Sequence, residues 1–205
     1  MSWSCCEEMA TFNKVMMVQR LRRVRWATVP ALLLLLGGVA WGVGELPYVD
    51  WQPLSAPLDH APLVIREDAK GDGRFDAPRS GNRRHHGLDL VGTIGEPVHA
   101  VRSGRIIRAG QHHGLGLFVQ IQHRGHWRSL YAHLQTMAVS EGQRVRQGQI
   151  IGTVGKTGNA HHPWIMPHLH MELAHEGTPV DPSTMGLAVI QPARQGTEQE
   201  ALGGE

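Results

Sequence analysis

Two short runs, one turn apart, constrain this chain most. "LFVQIQH", Leu117 to His123, alternates Val119 and Ile121 with Gln120 and Gln122. "WRSLYAHL", Trp127 to Leu134, alternates Leu130, Ala132 and Leu134 with Ser129, Tyr131 and His133. A period of two marks a strand with one face in a core. The turn between them is "HRGH", so the pair is predicted to be a β-hairpin. No twelve-residue window around them carries a helical period. "GEPVHAVRSGRIIRAG" (Gly95 to Gly110) and "GQRVRQGQIIGTVG" (Gly142 to Gly155) echo each other. Each is expected to form a short strand, a glycine turn and a second short strand. The fold class is therefore mostly β: an antiparallel β-sandwich or barrel-like core of short hairpins, with an internal pseudo-repeat.

A second constraint lies at the N-terminus. Lys14, Arg20, Arg22, Arg23 and Arg25 precede "WATVPALLLLLGGVAWGVG", Trp26 to Gly44, which carries no charge over 19 residues. That length just spans a bilayer as a helix. Cations before it and acids after it (Glu45, Asp50) place the N-terminus in the cytoplasm and the rest outside. A cleaved signal peptide, ending at Ala40-Trp41-Gly42, is the alternative. The expected organisation is a short cytoplasmic stretch (1–25), a membrane anchor or signal segment (26–44), a proline-rich linker (45–63), a folded domain (64–188) and a polar disordered tail (189–205).

Composition removes several functions. The net charge is only +2 and no long basic run occurs in the C-terminal part, which argues against nucleic acid as a partner. Cys5 and Cys6 are the only cysteines, so the main domain has neither a disulfide framework nor a thiolate zinc site. Of 14 histidines, 13 lie between His85 and His175, so spacing rather than number must identify a site. In "RRHHGLDL", His85 and Asp89 are four apart, or about 13 Å along a straight strand. They meet at one ion only if the chain bends, and Gly87 is the expected place. His86 is an equal rival to His85 by composition. In "MPHLHMEL", His168 and His170 share one strand face, while Leu169, Met171 and Leu173 face the core. His133 stands on the polar face of its strand.

Together these stretches resemble the lysostaphin/LytM-type zinc metallopeptidases, which carry H-x-G-x-D, a Y-x-H strand and H-x-H between glycine–valine hairpins. Here they read His85-His86-Gly87-Leu88-Asp89, Tyr131-Ala132-His133 and His168-Leu169-His170, within roughly residues 73 to 181. The resemblance implies one Zn2+ per chain held by His85, Asp89 and His170, with a water completing the shell. It implies that His133 and His168 are catalytic, one taking the water's proton and one steadying the oxyanion or leaving group. His86 falls at the family's variable position, and Glu172 receives no catalytic role. The implied reaction is cleavage of peptide bonds in peptidoglycan cross-links, in the cell envelope and outside the cytoplasm, or secreted if the N-terminal segment is cleaved.

The loop "NAHHPWIMP", 159–167, is longer than the family pattern and is expected to rim the cleft. Trp164 and Tyr131 are expected against the substrate. The implied partners are the peptidoglycan peptide and, through residues 26–44, the membrane; no regulatory partner is identified. The alternative reading is a non-catalytic regulator of another wall hydrolase on the same fold. A carrier domain using Lys156 in "GKTG" would leave the His/Asp set unexplained.

Overall fold

Nine strands form the main antiparallel sheet of this computed structural model, which describes Tyr48, Asp50 and residues 54–192. In chain order they are β1 (Gly87–Val91), β2 (Pro97–His99), β3 (Gly104–His112), β4 (Gly116–His123), β5 (Trp127–Met137), β6 (Arg144–Val145), β7 (Ile150–Val154), β8 (His168–His175) and β9 (Thr178–Val180). The expected membrane segment, 26–44, lies outside the described residues. Among those described, no helix is long and apolar enough to cross a membrane.

The sheet runs β6-β3-β4-β5-β7-β2, and β8 branches from β5 to carry β1 and β9 on its other edge. The predicted hairpin is present: β4 pairs with β5 in the register Gln122↔Arg128 and Ile121↔Ser129. One edge of the long β5 is shared between two partners. Its first half, through Ala132, pairs with β8, and its second half, from Leu134, pairs with β7. His133 stands at the handover with a left-handed φ of 61°, and its N–H donates to the Leu115 carbonyl at 2.8 Å. A β-bulge of this kind re-aims a side chain.

The bulge corrects the expected alternation on β5. Tyr131 is fully buried in the main core, whereas Leu130 and Ala132 pack with Phe118 in a small separate cluster. Tyr131 can enter the core because its polar tip is satisfied. Its hydroxyl accepts from the Val101 N–H at 2.9 Å and lies 3.0 Å from Ser129 Oγ. Leu134, beyond the kink, does face the main core. In regular alternation His133 would follow Tyr131 inward, but the kink turns it to the opposite face.

The two echoing stretches interlock instead of folding as separate hairpins. β2 of the first pairs with β7 of the second, and β3 of the first pairs with β6 of the second. The expected linker is shorter than 45–63. Leu54, Leu58 and Leu63 are buried in the main core, and the His99 N–H donates to the Pro57 carbonyl at 2.9 Å. The tail also begins later than 189, because Val189–Ile190 pairs in parallel with Leu63–Val64. Burial of spaced leucines outweighs the prolines here, although their spacing shows no strand or helix period.

Candidate metal centre

β1 and β8 are antiparallel neighbours, with Asp89 directly opposite His170 and Leu90 opposite Leu169. Opposed residues share a face. The core face takes Leu88, Leu90, Leu169 and Met171, all essentially inaccessible, which leaves Asp89, His168 and His170 for the other side. His85 lies just before β1. Its N–H donates to the Ala77 carbonyl at 3.0 Å and its carbonyl accepts from the Asp76 N–H at 2.8 Å, which turns its ring back toward Asp89. Gly87 is the first residue of β1 and is not among the positive-φ glycines, so His85 reaches Asp89 from just before the strand without a left-handed turn at Gly87. Gly87 serves close approach instead: a Cβ there would stand 2.3 Å from the Met171 carbonyl oxygen.

Three side-chain atoms converge. His85 Nε2 is 3.0 Å from Asp89 Oδ1, His170 Nδ1 is 2.8 Å from the same oxygen, and the two nitrogens are 3.0 Å apart. Partners behind each group determine what it offers. His85 Nδ1 donates to the Arg74 carbonyl at 2.7 Å, since a carbonyl can only accept, so neutral His85 presents a lone pair on Nε2. His170 Nε2 donates to Glu172 at 3.1 Å, so neutral His170 presents a lone pair on Nδ1. Asp89 Oδ2 accepts from Arg66 at 2.9 Å and from Arg79 at 3.2 Å, which leaves Oδ1 for the cluster.

Three lone pairs facing one point require a cation among them. The separations are slightly below the ~3.3 Å edge of a tetrahedron with zinc–ligand bonds of about 2.0–2.1 Å. Two imidazoles and a carboxylate, each braced from behind, are a donor set suited to zinc. They also form the one group of three or more His, Cys, Asp or Glu among the described residues that could hold a metal ion.

Electrostatics agree with the geometry. Burial alone would raise the Asp89 carboxyl, but the hydrogen bond from His170 and the adjacent His85 imidazole outweigh it and hold it well below the usual carboxylate range. Burial alone would lower His170, but its bonds to Asp89 and Glu172 outweigh that and lift it to about 9. Without a metal ion, a proton on His170 therefore supplies the cation.

Two further imidazoles face the cluster. His168 Nδ1 donates to the Met166 carbonyl at 2.7 Å, and His133 Nδ1 donates to the Thr157 carbonyl at 2.9 Å. Each is left with a bare Nε2, that of His168 lying 4.0 Å from Asp89 Oδ1. The His133 and His168 ring centroids are 5.0 Å apart. Burial, then the neighbouring His168 and His170, push His133 down to about 3. Burial also lowers His168, against the opposing pull of Asp89. Both are neutral acceptors near neutral pH.

The fold thus brings His85, Asp89, His133, His168 and His170 to one cleft of about 830 Å³. His86 is exposed and also lines this cleft. Residues 158–161 form a 3-10 turn, and Asn159, Ala160 and Ile165 line the cleft, so this loop does form part of its rim. Trp164 is 73% exposed and is not among the lining residues. Tyr131 corrects the expectation of a substrate contact: it is fully buried, with its hydroxyl turned to Val101 and Ser129. Sequence reading missed Arg66, Arg79 and Glu172 as supports of the ligands. Glu172 alone left a signal, since it continues the alternation of His168 and His170.

The profile of Peptidase family M23 matches residues 83–182. Peptidoglycan DD-endopeptidase ShyC of Vibrio cholerae is 36% identical over 109 residues, which cover 53% of this chain and 24% of ShyC. Murein hydrolase activator NlpD of Salmonella dublin is 36% identical over 116 residues, covering 56% of this chain and 29% of NlpD. The chain therefore spans less than a third of either relative. Among solved structures, a zinc-containing peptidase from Vibrio cholerae superposes with a TM-score of 0.51 at 30% identity, covering 65% of this chain and 39% of that one.

Proposed function

We propose, from the premise that this chain carries a Peptidase family M23 domain over residues 83–182, that it is a zinc-dependent endopeptidase cleaving peptide bonds in peptidoglycan cross-links. The observation that carries the reading is the convergence of His85 Nε2, Asp89 Oδ1 and His170 Nδ1, with two further bare imidazole nitrogens beside them. Zinc held by the three ligands would act as a Lewis acid on the scissile carbonyl and lower the pKa of a water toward about 7. His168 is the better placed base. Its Nε2 is free, and Asp89 at 4.0 Å favours its taking a proton. Once protonated, it can return that proton to the leaving amine. His133 Nε2 orients the water or, if it gains a proton, faces the developing oxyanion. Met166 and Thr157 fix both tautomers through their carbonyls, so neither ring needs to turn during a cycle.

The cell envelope is the proposed location. The uncharged run at 26–44 would anchor the domain outside the cytoplasm, or be removed on export.

A second reading, a non-catalytic activator of another wall hydrolase, is favoured by one observation: a relative named as a murein hydrolase activator is as similar as one named as an endopeptidase. Metal analysis and peptidoglycan digestion by the full chain, compared with His170→Ala, separate the two. The peptidase reading expects one zinc per chain and release of cross-linked peptides, both lost in the variant. A wild-type chain that releases no peptide even with added zinc, yet stimulates a partner hydrolase, establishes the activator.

A further inference from the structure

The lining of the cleft is electrically lopsided. Two tight strand pairs, Glu67–Asp68 with Gly71–Asp72 and Pro78–Arg79 with Arg83–Arg84, hold Lys70, Arg79, Arg83 and Arg84 along it. The rest of the lining includes Leu115, Asn159, Ala160 and Ile165, and the stretches that supply them add no lysine, arginine or acid to it. The two acids in the cleft are already engaged: Asp89 by Arg66, Arg79, His85 and His170, and Glu172 by His170.

Of the five cations lining the cleft, Arg66 is committed to Asp68 and Asp89, and the other four differ in what they are free to do. Arg79 is committed, donating to the Asp72 carbonyl at 2.7 Å and pairing with Asp89. Arg84 has Asp76 at 3.6 Å. Lys70 and Arg83 have no acidic partner among the described residues. Arg83 uses only Nε, donating to the Ser80 carbonyl at 3.1 Å, which leaves the outer face of its guanidinium open. A guanidinium fork binds a carboxylate through two parallel hydrogen bonds, and an ammonium in the same cleft adds a point charge. A cleft lined by one sign of charge also concentrates ligands of the other.

We propose that Lys70 and Arg83, the two lining cations without an acidic partner among the described residues, recognise carboxylates, so that the cleft selects peptides bearing free acid groups over neutral peptides. The inference names a substrate class for the peptidase reading and rests on it for the chemistry, but binding tests it separately. A fluorescent pentapeptide of alternating glutamate and alanine with reduced backbone amides, and its glutamine counterpart, are titrated into the zinc-loaded full chain. The acidic peptide is expected to bind roughly 5- to 25-fold more tightly, about fivefold for each exposed charge at most. The preference shrinks as salt rises from about 50 to 300 mM. Lys70→Ala with Arg83→Ala abolishes it at unchanged zinc content, and Arg83→Lys keeps part of it. Equal binding of the two peptides by wild type, or a preference that survives in the double variant, overturns the proposal. Failure of the peptidase reading looks different: cleavable peptides stay intact while the binding preference persists.

Discussion

Glu172 and His168 stand on the same strand face, two residues to either side of His170, and their expected losses differ in kind. Glu172 accepts the hydrogen bond from His170 Nε2 and so keeps the proton there, leaving Nδ1 free for a metal ion. Glu172→Gln should weaken zinc by about 10- to 100-fold, the usual effect of losing such a bracing group, as read by chelator competition. His168→Ala should retain zinc and lose turnover by about 10²- to 10⁴-fold, the contribution of a positioned base. Loss of zinc from that variant would place His168 among the ligands. Zinc uptake should also be pH-dependent. His170 is raised to about 9, so near neutral pH it carries a proton that the metal must displace. Affinity should rise with pH up to about 9, with close to one proton released per zinc from this residue. Calorimetry in buffers of different ionisation enthalpy measures that release.

At the scale of elements, the site depends on how closely β1 approaches β8. Gly87→Ala places a methyl 2.3 Å from the Met171 carbonyl oxygen, so the strands must part or shift. A loss of about 1–3 kcal/mol in denaturant unfolding is expected, with weakened zinc binding, because Asp89 and His170 face each other across this pairing. The strand pair was legible in the chain, and the resemblance implied the grouping of His85, Asp89 and His170 that the fold brings together. Alternation exposes a hairpin, and the short histidine spacings survive as motifs. The face taken by Tyr131 was not legible. Its polarity suggests exposure, whereas the Val101 and Ser129 partners that let it be buried come from elsewhere in the fold. Alternation puts His133 on the polar face of its strand, and it faces away from the core only through a bulge that no local pattern announces. Arg66 and Arg79 lie 23 and 10 residues from Asp89, in segments without periodicity.

Across the whole molecule, stability draws on segments outside the motifs. Leu58 is 2% exposed within the main core, so Leu58→Ala should cost about 2–5 kcal/mol, measured by chemical denaturation. His123 makes stability depend on pH. Burial holds its folded form down to about 4, while its ordinary value is 6.5. As pH falls through 6.5 the unfolded chain gains a proton that the folded chain refuses until about 4. Stability should therefore fall across that window by on the order of 3 kcal/mol, and His123→Asn should flatten the slope.

The arginine support of Asp89 has a consequence for how the domain can be moved between proteins. The family profile matches from residue 83, yet Arg66 and Arg79, which hold the outer carboxylate oxygen of Asp89, lie before that point. Arg66 also pairs with Asp68, whose other oxygen accepts from the Met166 N–H, next to the carbonyl that fixes His168. A graft cut where the profile match starts would carry every histidine of the cleft and still arrive without this brace. The smallest transplantable unit is longer than the profile match, and its upstream boundary lies at or before Leu54.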